Sequence, residues 1–208
     1  MPKLYFRWGA MSSGKSTQLL VALFQYTSND KKALLIKPAI DIRDGLATVK
    51  SRVPGLTQQA HIIMPPKKLF STEELIKLHD YDVIFLDEAQ FFHPSQIEQF
   101  SYLSLHVPVI AYGLRTDFRG KLFPASQMLF ALADEITEIK NICKYCTKKA
   151  TQNLKLKCEE SKCSSTEIDL GAEDKYVGVC KTCYYKFRWD EDAHMQHWLI
   201  HALEDVKI

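Results

Sequence analysis

The sequence predicts an α/β protein built on a parallel β-sheet, followed by a small cysteine-rich domain. Apolar runs suited to buried strands alternate with segments of helical spacing over residues 1–140, and this alternation is typical of doubly wound parallel sheets. Beyond them the pattern ends and two Cys-x-x-Cys pairs follow. We therefore expect a sheet domain, a cysteine-rich domain and a final helix, at 1–140, 141–189 and 190–208.

The composition restricts the class of protein. Of 208 residues, 46% are hydrophobic and 25% are charged, which is typical of globular proteins. A net charge of +2 gives no general attraction to nucleic acid or to an anionic membrane. We expect neither a membrane span nor a signal peptide, because no apolar run approaches ~20 residues and Arg7 interrupts the first one. The expectation is a cytoplasmic protein with reduced cysteines and no nucleic-acid or membrane partner.

A glycine-rich loop separates the first strand from the first helix. Leu4–Trp8 is an apolar run, and helical spacing begins at Thr17. The intervening segment matches G-x-x-x-x-G-K-[ST], the phosphate-binding loop (P-loop) of nucleoside triphosphate enzymes. This predicts a P-loop NTPase (RecA-like) domain in which Lys15 neutralises the β- and γ-phosphates and Ser16 holds Mg²⁺. The residues expected at ATP are Gly9, Ala10, Met11, Ser12, Ser13, Gly14, Lys15 and Ser16.

The second strand, Ala33–Ile36, leads to a polar loop at the edge of the sheet where the P-loop lies. Asp41 and Arg43 in this loop could reach a metal ion and a phosphate. The same residues also suit an ordinary Asp-Gly turn, and the residues alone leave both alternatives open.

A second chemical motif ends the apolar run Val83–Leu86. Asp87 and Glu88 follow it directly, as in the Walker B pattern, in which the aspartate orients Mg²⁺. Asp87 is thus a candidate metal-side carboxylate and Glu88 a candidate general base. The alternative is that both only cap the next helix. The residues expected at the nucleotide here are Asp87, Glu88, Ala89 and Gln90.

The remaining elements follow from periodicity and capping signals. Residues 46–66 are weakly patterned and hold at most a short strand. We expect strands at 60–63, 108–112 and 135–140, and helices after the Ser71 capping box, at 94–104 and at 126–133.

The two cysteine pairs, Cys143-x-x-Cys146 and Cys180-x-x-Cys183, have the spacing of zinc knuckles. Four thiolates complete a tetrahedral Zn²⁺ site with no open position, which indicates a structural metal. A redox Cys-x-x-Cys is the alternative. Cys158 and Cys163 lie between the pairs, and we interpret both as free thiols.

Two further groups have competing interpretations. Lysines near the first cysteine pair suit a solvated face or a nucleic-acid surface, and we favour the solvated face. In the expected helix Asp190–Val206, His194, His197 and His201 share one stripe. Metal binding is one interpretation of this stripe; we favour a polar face, because no thiolate or carboxylate partner is evident.

Together, three motifs give a family resemblance. The P-loop, Asp-Glu-x-Gln-Phe at 87–91 and the paired cysteines resemble those of the type II thymidine kinases, and residues 112–120 and 174–176 extend the match. The resemblance implies transfer of the γ-phosphate of MgATP to the 5′-hydroxyl of thymidine or deoxyuridine, giving dTMP in nucleotide salvage. It also implies a homotetramer inhibited by dTTP.

The resemblance also implies roles for single residues. Glu88 matches the family's proton acceptor, Asp41 its metal-side aspartate and Arg43 its clamp near the 5′-oxygen, so Lys15 and Arg43 would act with Glu88 in catalysis. The loop between the cysteine pairs looks like the family's lasso, which covers the nucleoside. Asn153 stands where some relatives place a threonine that meets the base. The expected thymidine pocket is Met11, Asp41, Phe91, Leu114, Phe118, Asn153 and Tyr176.

Two other classes share parts of this pattern. A RecA-like motor ATPase would have the P-loop and the Asp-Glu pair. A zinc-ribbon nucleic-acid-binding module would have the cysteines and lysines, but it would leave the P-loop without a role.

Overall fold

The computed structural model describes residues 1–42, 45–156 and 175–188. Its strands are β1 (Leu4–Trp8), β2 (Ala33–Pro38), β3 (Thr48–Lys50), β4 (Thr57–Gln59), β5 (Ile62–Met64), β6 (Val83–Leu86), β7 (Val109–Gly113), β8 (Glu135–Glu138), β9 (Gln152–Lys155) and β10 (Tyr176–Val179). Its helices are α1 (Lys15–Thr27), α2 (Thr72–Leu78), α3 (Pro94–Leu103), α4 (Pro124–Leu132) and α5 (Lys181–Phe187), with a 3₁₀ turn at Ala89–Phe91.

A six-stranded sheet forms the centre of the molecule, with the strand order β5-β2-β6-β7-β1-β8. All of its pairings are parallel. The segments that follow β1, β2, β6 and β7 therefore leave the sheet at one edge, which is where ligands bind in open α/β folds. The predicted parallel α/β sheet is confirmed.

Helices cover the sheet on both faces. On one face, Leu19 and Leu23 of α1 pack against Leu35 and Phe85. On the other, apolar side chains of α2, α3 and α4 pack against alternate residues of the same strands. This alternation follows from the two-residue period of a strand, which sends neighbouring side chains to opposite faces. The strands are buried on both faces, which explains why they appear in the sequence as continuous apolar runs.

The cysteine-rich region forms a second, smaller unit. β9 and β10 pair antiparallel, with Asn153 opposite Gly178. α5 follows β10, and Tyr184 on this helix joins Leu154 and Val179 in a small core. The four cysteines of the two pairs lie together in this unit.

Two details differ from the sequence expectation. β3 and β4 form a hairpin in the weakly patterned segment, where no hairpin was predicted. α4 begins at Pro124 rather than at Ser126, because proline at the first helical position needs no hydrogen bond and has the helical φ. No helix within the described ranges is long and apolar enough to cross a membrane.

Candidate active site

The P-loop has the geometry that its motif predicts. Gly14, at the N-cap of α1, adopts φ 80°, a left-handed conformation that favours glycine. A Cβ at Gly9 would lie 2.3 Å from Ser13 Oγ and 2.8 Å from the Ile139 carbonyl oxygen, so only glycine fits there. Lys15 is 8% exposed, and its Nζ donates to the Ala10 carbonyl oxygen at 3.0 Å. The loop therefore holds a cation beside the N-terminus of a helix, an arrangement suited to phosphate.

A cavity of about 240 Å³ adjoins the P-loop. The side chains lining it beyond Met11–Thr17 are Lys50, Arg52, Val53, Glu88 and Leu114. The candidate base and one candidate pocket residue thus share a single space with the phosphate-binding loop. This shared space could hold an acceptor hydroxyl next to a transferable phosphate.

Lys50 and Arg52 reach this cavity from the β3–β4 hairpin and were not predicted as site residues. Arg52 also donates a hydrogen bond to Ser12 Oγ of the P-loop. The only sequence signal was a pair of basic residues two positions apart in a segment without a clear pattern. Their positions add positive charge where phosphate oxygens would lie.

The carboxylates lie at the carboxyl ends of neighbouring strands. Asp87 is 4% exposed, and its backbone N–H donates to the Ile36 carbonyl oxygen at 3.0 Å, which joins the ends of β6 and β2. Asp41, 3% exposed, follows β2 and forms a buried ion pair with Lys37. Glu88 adopts φ 46°, a left-handed conformation that costs a non-glycine residue about 1–2 kcal/mol. The sheet thus brings the three predicted carboxylates to one edge.

The predicted pocket residues lie around this edge in two groups. Met11 and Leu114 line the cavity of the P-loop. Phe118 lies against Tyr176, with ring centroids 5.8 Å apart, and Lys155 Nζ lies 5.3 Å from the Phe118 ring centre. Aromatic faces of this kind suit a planar base. The ring of Phe91, the remaining aromatic, contacts that of Phe123 at 5.8 Å.

Asn153 connects the cysteine-rich unit to the P-loop. Its Oδ1 accepts from the Met11 backbone N–H at 2.8 Å, and its Nδ2 donates to the Thr116 carbonyl oxygen at 2.8 Å. Asn141 donates to the carbonyl oxygen of the same Met11 at 3.1 Å. A Cβ at Gly178 would lie 2.7 Å from that oxygen, so the strand packs closely beneath the loop. Asn153 was predicted only to contact the base; its hydrogen bonds in the structure are with the protein backbone.

The four cysteines of the two pairs form a candidate metal site. Their sulfur atoms all lie within 4.8 Å of one another, and no disulfide joins these four. The Sγ atom of Cys146 lies 3.6 Å from that of Cys180 and 3.8 Å from that of Cys183. Tetrahedral Zn²⁺ with Zn–S bonds of ~2.3 Å requires sulfur atoms roughly 3.8 Å apart. The cluster therefore has the donor atoms and the spacing of a closed four-sulfur site.

The ionisation of these thiols also points to a cation. Burial disfavours the thiolate of Cys143, but hydrogen bonds from the backbone of Cys180, Tyr145 and Cys146 outweigh burial and lower its pKa to about 6. Burial and the neighbouring cysteines raise the pKa of Cys183 to about 12. Without metal, Cys143 thus ionises readily, whereas Cys183 resists ionisation. A divalent cation would compensate the repulsion.

Several predicted residues lie outside the described part of the chain. They are Arg43, Cys158, Cys163, the expected lasso over most of its length, and the C-terminal helix with His194, His197 and His201. Their predicted roles stay predictions.

Comparison with known proteins gives consistent matches. A family model described as "Thymidine kinase" matches residues 2–184. A thymidine kinase of Legionella pneumophila (strain Lens) is 40% identical over 189 residues, covering 88% of this chain and 90% of the relative. Thymidine kinases of Lactococcus lactis subsp. lactis (strain IL1403) and Vibrio parahaemolyticus serotype O3:K6 are 36% and 38% identical, covering 89% and 88% of this chain and 98% and 97% of their own.

Proposed function

The chain belongs to the thymidine kinase family, and on that premise we propose that it transfers the γ-phosphoryl group of ATP to the 5′-hydroxyl of thymidine, giving dTMP and ADP. Deoxyuridine would serve as a second acceptor. The observation that carries the proposal is the cavity of about 240 Å³ that the P-loop shares with Glu88 and Leu114. Phosphoryl transfer to a hydroxyl requires this proximity of base, phosphate and acceptor.

Glu88 is the proposed general base. Its carboxylate would take the proton from the 5′-hydroxyl as the oxygen bonds to the γ-phosphorus. The bond from this phosphorus to the β,γ-bridging oxygen breaks, and ADP leaves with the electron pair. Lys15, with its ammonium inside the P-loop, would neutralise charge on the phosphate oxygens. Arg43 would act near the 5′-oxygen, in the role that the family resemblance gives it.

Ser16, Asp41 and Asp87 are the proposed magnesium-side residues. Their hydroxyl and carboxylate oxygens are the hard ligands that Mg²⁺ prefers. Mg²⁺ held by these residues would supply positive charge that offsets the charge of the phosphate oxygens. The hydrogen bond from Asp87 N–H to the β2 carbonyl keeps the two carboxylate-bearing loops adjacent.

The nucleoside would lie between the P-loop cavity and the Phe118–Tyr176 ring pair. Leu114 and Met11 would contact it from the cavity side, with Phe91 completing the enclosure. Phe118 and Tyr176, whose rings contact each other, would supply apolar contacts to the planar base.

Zinc is the proposed ion of the four-cysteine cluster. The sulfur spacing supports it, and a closed four-sulfur site indicates a structural rather than a catalytic role. Zinc would hold the first cysteine pair next to the start of α5, where Cys180 Sγ also accepts a hydrogen bond from the Cys183 N–H. Residues 141–189 would thus form a metal-stabilised domain, and its reduced thiolates suit the cytoplasm.

We also propose feedback inhibition by dTTP and assembly into a homotetramer. A nucleotide with both thymine and a triphosphate could occupy the nucleoside pocket and the P-loop together, which supports feedback inhibition by dTTP. A homotetramer is expected from the family resemblance. Phe24 of α1, 68% exposed, and Val21, 42% exposed, offer an apolar surface for a subunit contact.

One assay tests the proposed activity. Purified protein is incubated with radiolabelled thymidine and MgATP, with and without DNA, beside a Lys15→Ala variant. Formation of dTMP that depends on Lys15 and is indifferent to DNA would support the proposal. ATP hydrolysis stimulated by DNA, without labelled dTMP, would contradict it and favour a motor ATPase.

A further inference from the structure

Gln90 occupies a central position between the candidate base and the nucleoside pocket. It lies in the 3₁₀ turn after Asp87 and is 2% exposed. Its Oε1 accepts a hydrogen bond from the Leu114 backbone N–H at 2.9 Å, and its Nε2 donates to Glu88 Oε2. A buried glutamine thus connects two segments that both line the P-loop cavity.

The orientation of this amide is determined by its partners. The Leu114 N–H can only donate, so it must face the amide oxygen of Gln90. The amide nitrogen is then directed at Glu88, whose ionised carboxylate can only accept. The reverse orientation would place donor against donor and acceptor against acceptor.

Both ends of the connection are held by the fold. Ser126 Oγ, on the fully buried face of α4, donates to the Leu114 carbonyl oxygen at 2.6 Å, so the Leu114 peptide is fixed on its other side. A Cβ at Gly113 would lie 2.8 Å from Gln90 Oε1 and 3.2 Å from its backbone nitrogen. Glycine at 113 therefore leaves the space that the glutamine amide fills.

We propose that Gln90 is a positioning residue that orients the Glu88 carboxylate toward the acceptor hydroxyl and links that orientation to the pocket wall at Leu114. The inference rests on the proposed role of Glu88 as general base. A glutamate side chain has three rotatable bonds, and a donor on one oxygen sets the direction of the other. A misplacement of about 1 Å at a reacting group can reduce turnover by as much as ~10²-fold.

Two substitutions separate the two hydrogen bonds of Gln90. Gln90→Met removes both at similar length, whereas Gln90→Glu keeps an acceptor for Leu114 but replaces the donor to Glu88. We expect each to lower kcat roughly 10–100-fold while the KM for ATP changes less than about threefold. A normal kcat in Gln90→Glu would show that only the Leu114 bond matters and would overturn the proposal.

Gln96 provides the matched control. It is also a buried glutamine, 1% exposed, and its amide bridges the His93 N–H to the carbonyl oxygens of Pro65 and Lys68, away from the cavity. Gln96→Met should lower the melting temperature but leave kcat of the folded enzyme within about threefold. If Gln90→Met behaves in the same way, Gln90 is only structural and the proposal fails.

A double variant, Gln90→Met with Glu88→Gln, shows whether Gln90 acts through Glu88 or affects catalysis separately. If Gln90 acts through Glu88, Gln90→Met should lower kcat in the unmodified enzyme but cause little further loss in an enzyme that already carries Glu88→Gln. If the double variant instead loses kcat by the product of the two single-variant factors, the residues act independently and the proposal is overturned. Near-normal turnover of Glu88→Gln alone would instead remove Glu88 as base, and the positioning role with it. An inactive Glu88→Gln beside active Gln90 variants would reject this inference only.

Discussion

Lys37 Nζ lies 3.2 Å from Asp41 Oδ2, and the two side chains are only 1% and 4% exposed. The same ammonium donates to the carbonyl oxygens of Gly45 at 3.1 Å and Thr48 at 2.8 Å. Its three protons therefore each have an acceptor, as a buried ammonium requires. Lys37 thus positions both the loop that carries Asp41 and the start of β3.

Replacing Lys37 should destabilise the protein strongly. Lys37→Met leaves the buried Asp41 carboxylate without its ammonium partner, and breaking one side of a buried ion pair costs about 3–5 kcal/mol. Urea denaturation at fixed protein concentration measures the change in the free energy of unfolding. Lys149→Met is the control, because its ion pair with Glu138 involves a lysine side chain that is 47% exposed and should change stability by no more than ~1 kcal/mol. Equal effects of the two substitutions would contradict the prediction.

Glu88→Gln should lose turnover rather than affinity. The amide keeps the shape of the side chain but cannot take a proton, and general-base catalysis contributes roughly 10²–10⁴-fold. Steady-state kinetics should show the loss in kcat, with smaller changes in KM for thymidine and ATP. A variant with near-normal kcat would exclude Glu88 from this role.

Cys180→Ser should abolish zinc binding. Removing one of four sulfur ligands opens the site, and the lost binding energy is folding energy for the cysteine-rich unit. Elemental analysis of protein purified without chelators should find about one zinc per unmodified chain and much less in the variant. Absence of zinc from the unmodified protein would reject the metal assignment.

Zinc affinity should fall as the pH falls. In the metal-free cluster Cys183, with a pKa of about 12, carries its proton at neutral pH, so zinc must displace that proton. More protons compete at lower pH, and binding weakens. Competition with a chelator at pH 8 and pH 6 measures the change. Equal affinity at the two pH values would mean that the ligands are already ionised without metal.

Asn153→Ala tests whether the cysteine-rich unit organises the P-loop. The substitution leaves the Met11 N–H and the Thr116 carbonyl oxygen without this partner, at a cost of about 1–3 kcal/mol each. We expect the KM for ATP to rise roughly tenfold. Asn29→Ala, which removes an exposed hydrogen bond at the end of α1, should leave it unchanged. If only the KM for thymidine rises, Asn153 contacts the base instead.

Base selectivity should come from hydrogen bonding rather than from ring contacts. Thymine offers an N3–H donor between two acceptors, and cytosine reverses this pattern. Backbone groups of the expected lasso cannot flip to suit both, and such sites can reject a mismatch by roughly 10⁴-fold or more. Phe118→Ala should weaken thymidine binding but keep the preference for thymidine over deoxycytidine. Similar kcat/KM values for the two nucleosides in the unmodified enzyme would contradict backbone recognition.

Local patterns predicted the sheet and the motifs well. The strands from β1 to β7 in the main sheet are apolar because both faces are covered, and the P-loop and the cysteine pairs have fixed spacings. The hairpin of β3 and β4 had no such signal, since Thr57–Gln59 is exposed throughout and Val49 is the only buried residue of Thr48–Lys50. Lys50 and Arg52 were missed for that reason.

Contacts between distant segments could not be predicted from the sequence. Gln90 meets Leu114 because β6 and β7 are sheet neighbours, and Asn153 meets Met11 because β9 packs under the P-loop. Such pairings depend on topology rather than on local periodicity. The sequence did contain one signal for a buried contact: Lys37 lies within the buried strand β2, where a lysine needs a partner, and Asp41 stands four residues later.

The position of β1 in the sheet determines when the P-loop can form during synthesis. β1 is made first, but Phe6 lies beside Ala111 of β7 on one side and Ile136 of β8 on the other. β2 and β6 can pair earlier, since both precede β7 in the chain. A nascent chain that ends before Glu135 thus contains every P-loop residue but lacks a strand that borders β1. Long-range pairings of this kind form slowly relative to local structure. We therefore expect the P-loop to reach its final geometry only late in synthesis, after most of the sheet has assembled.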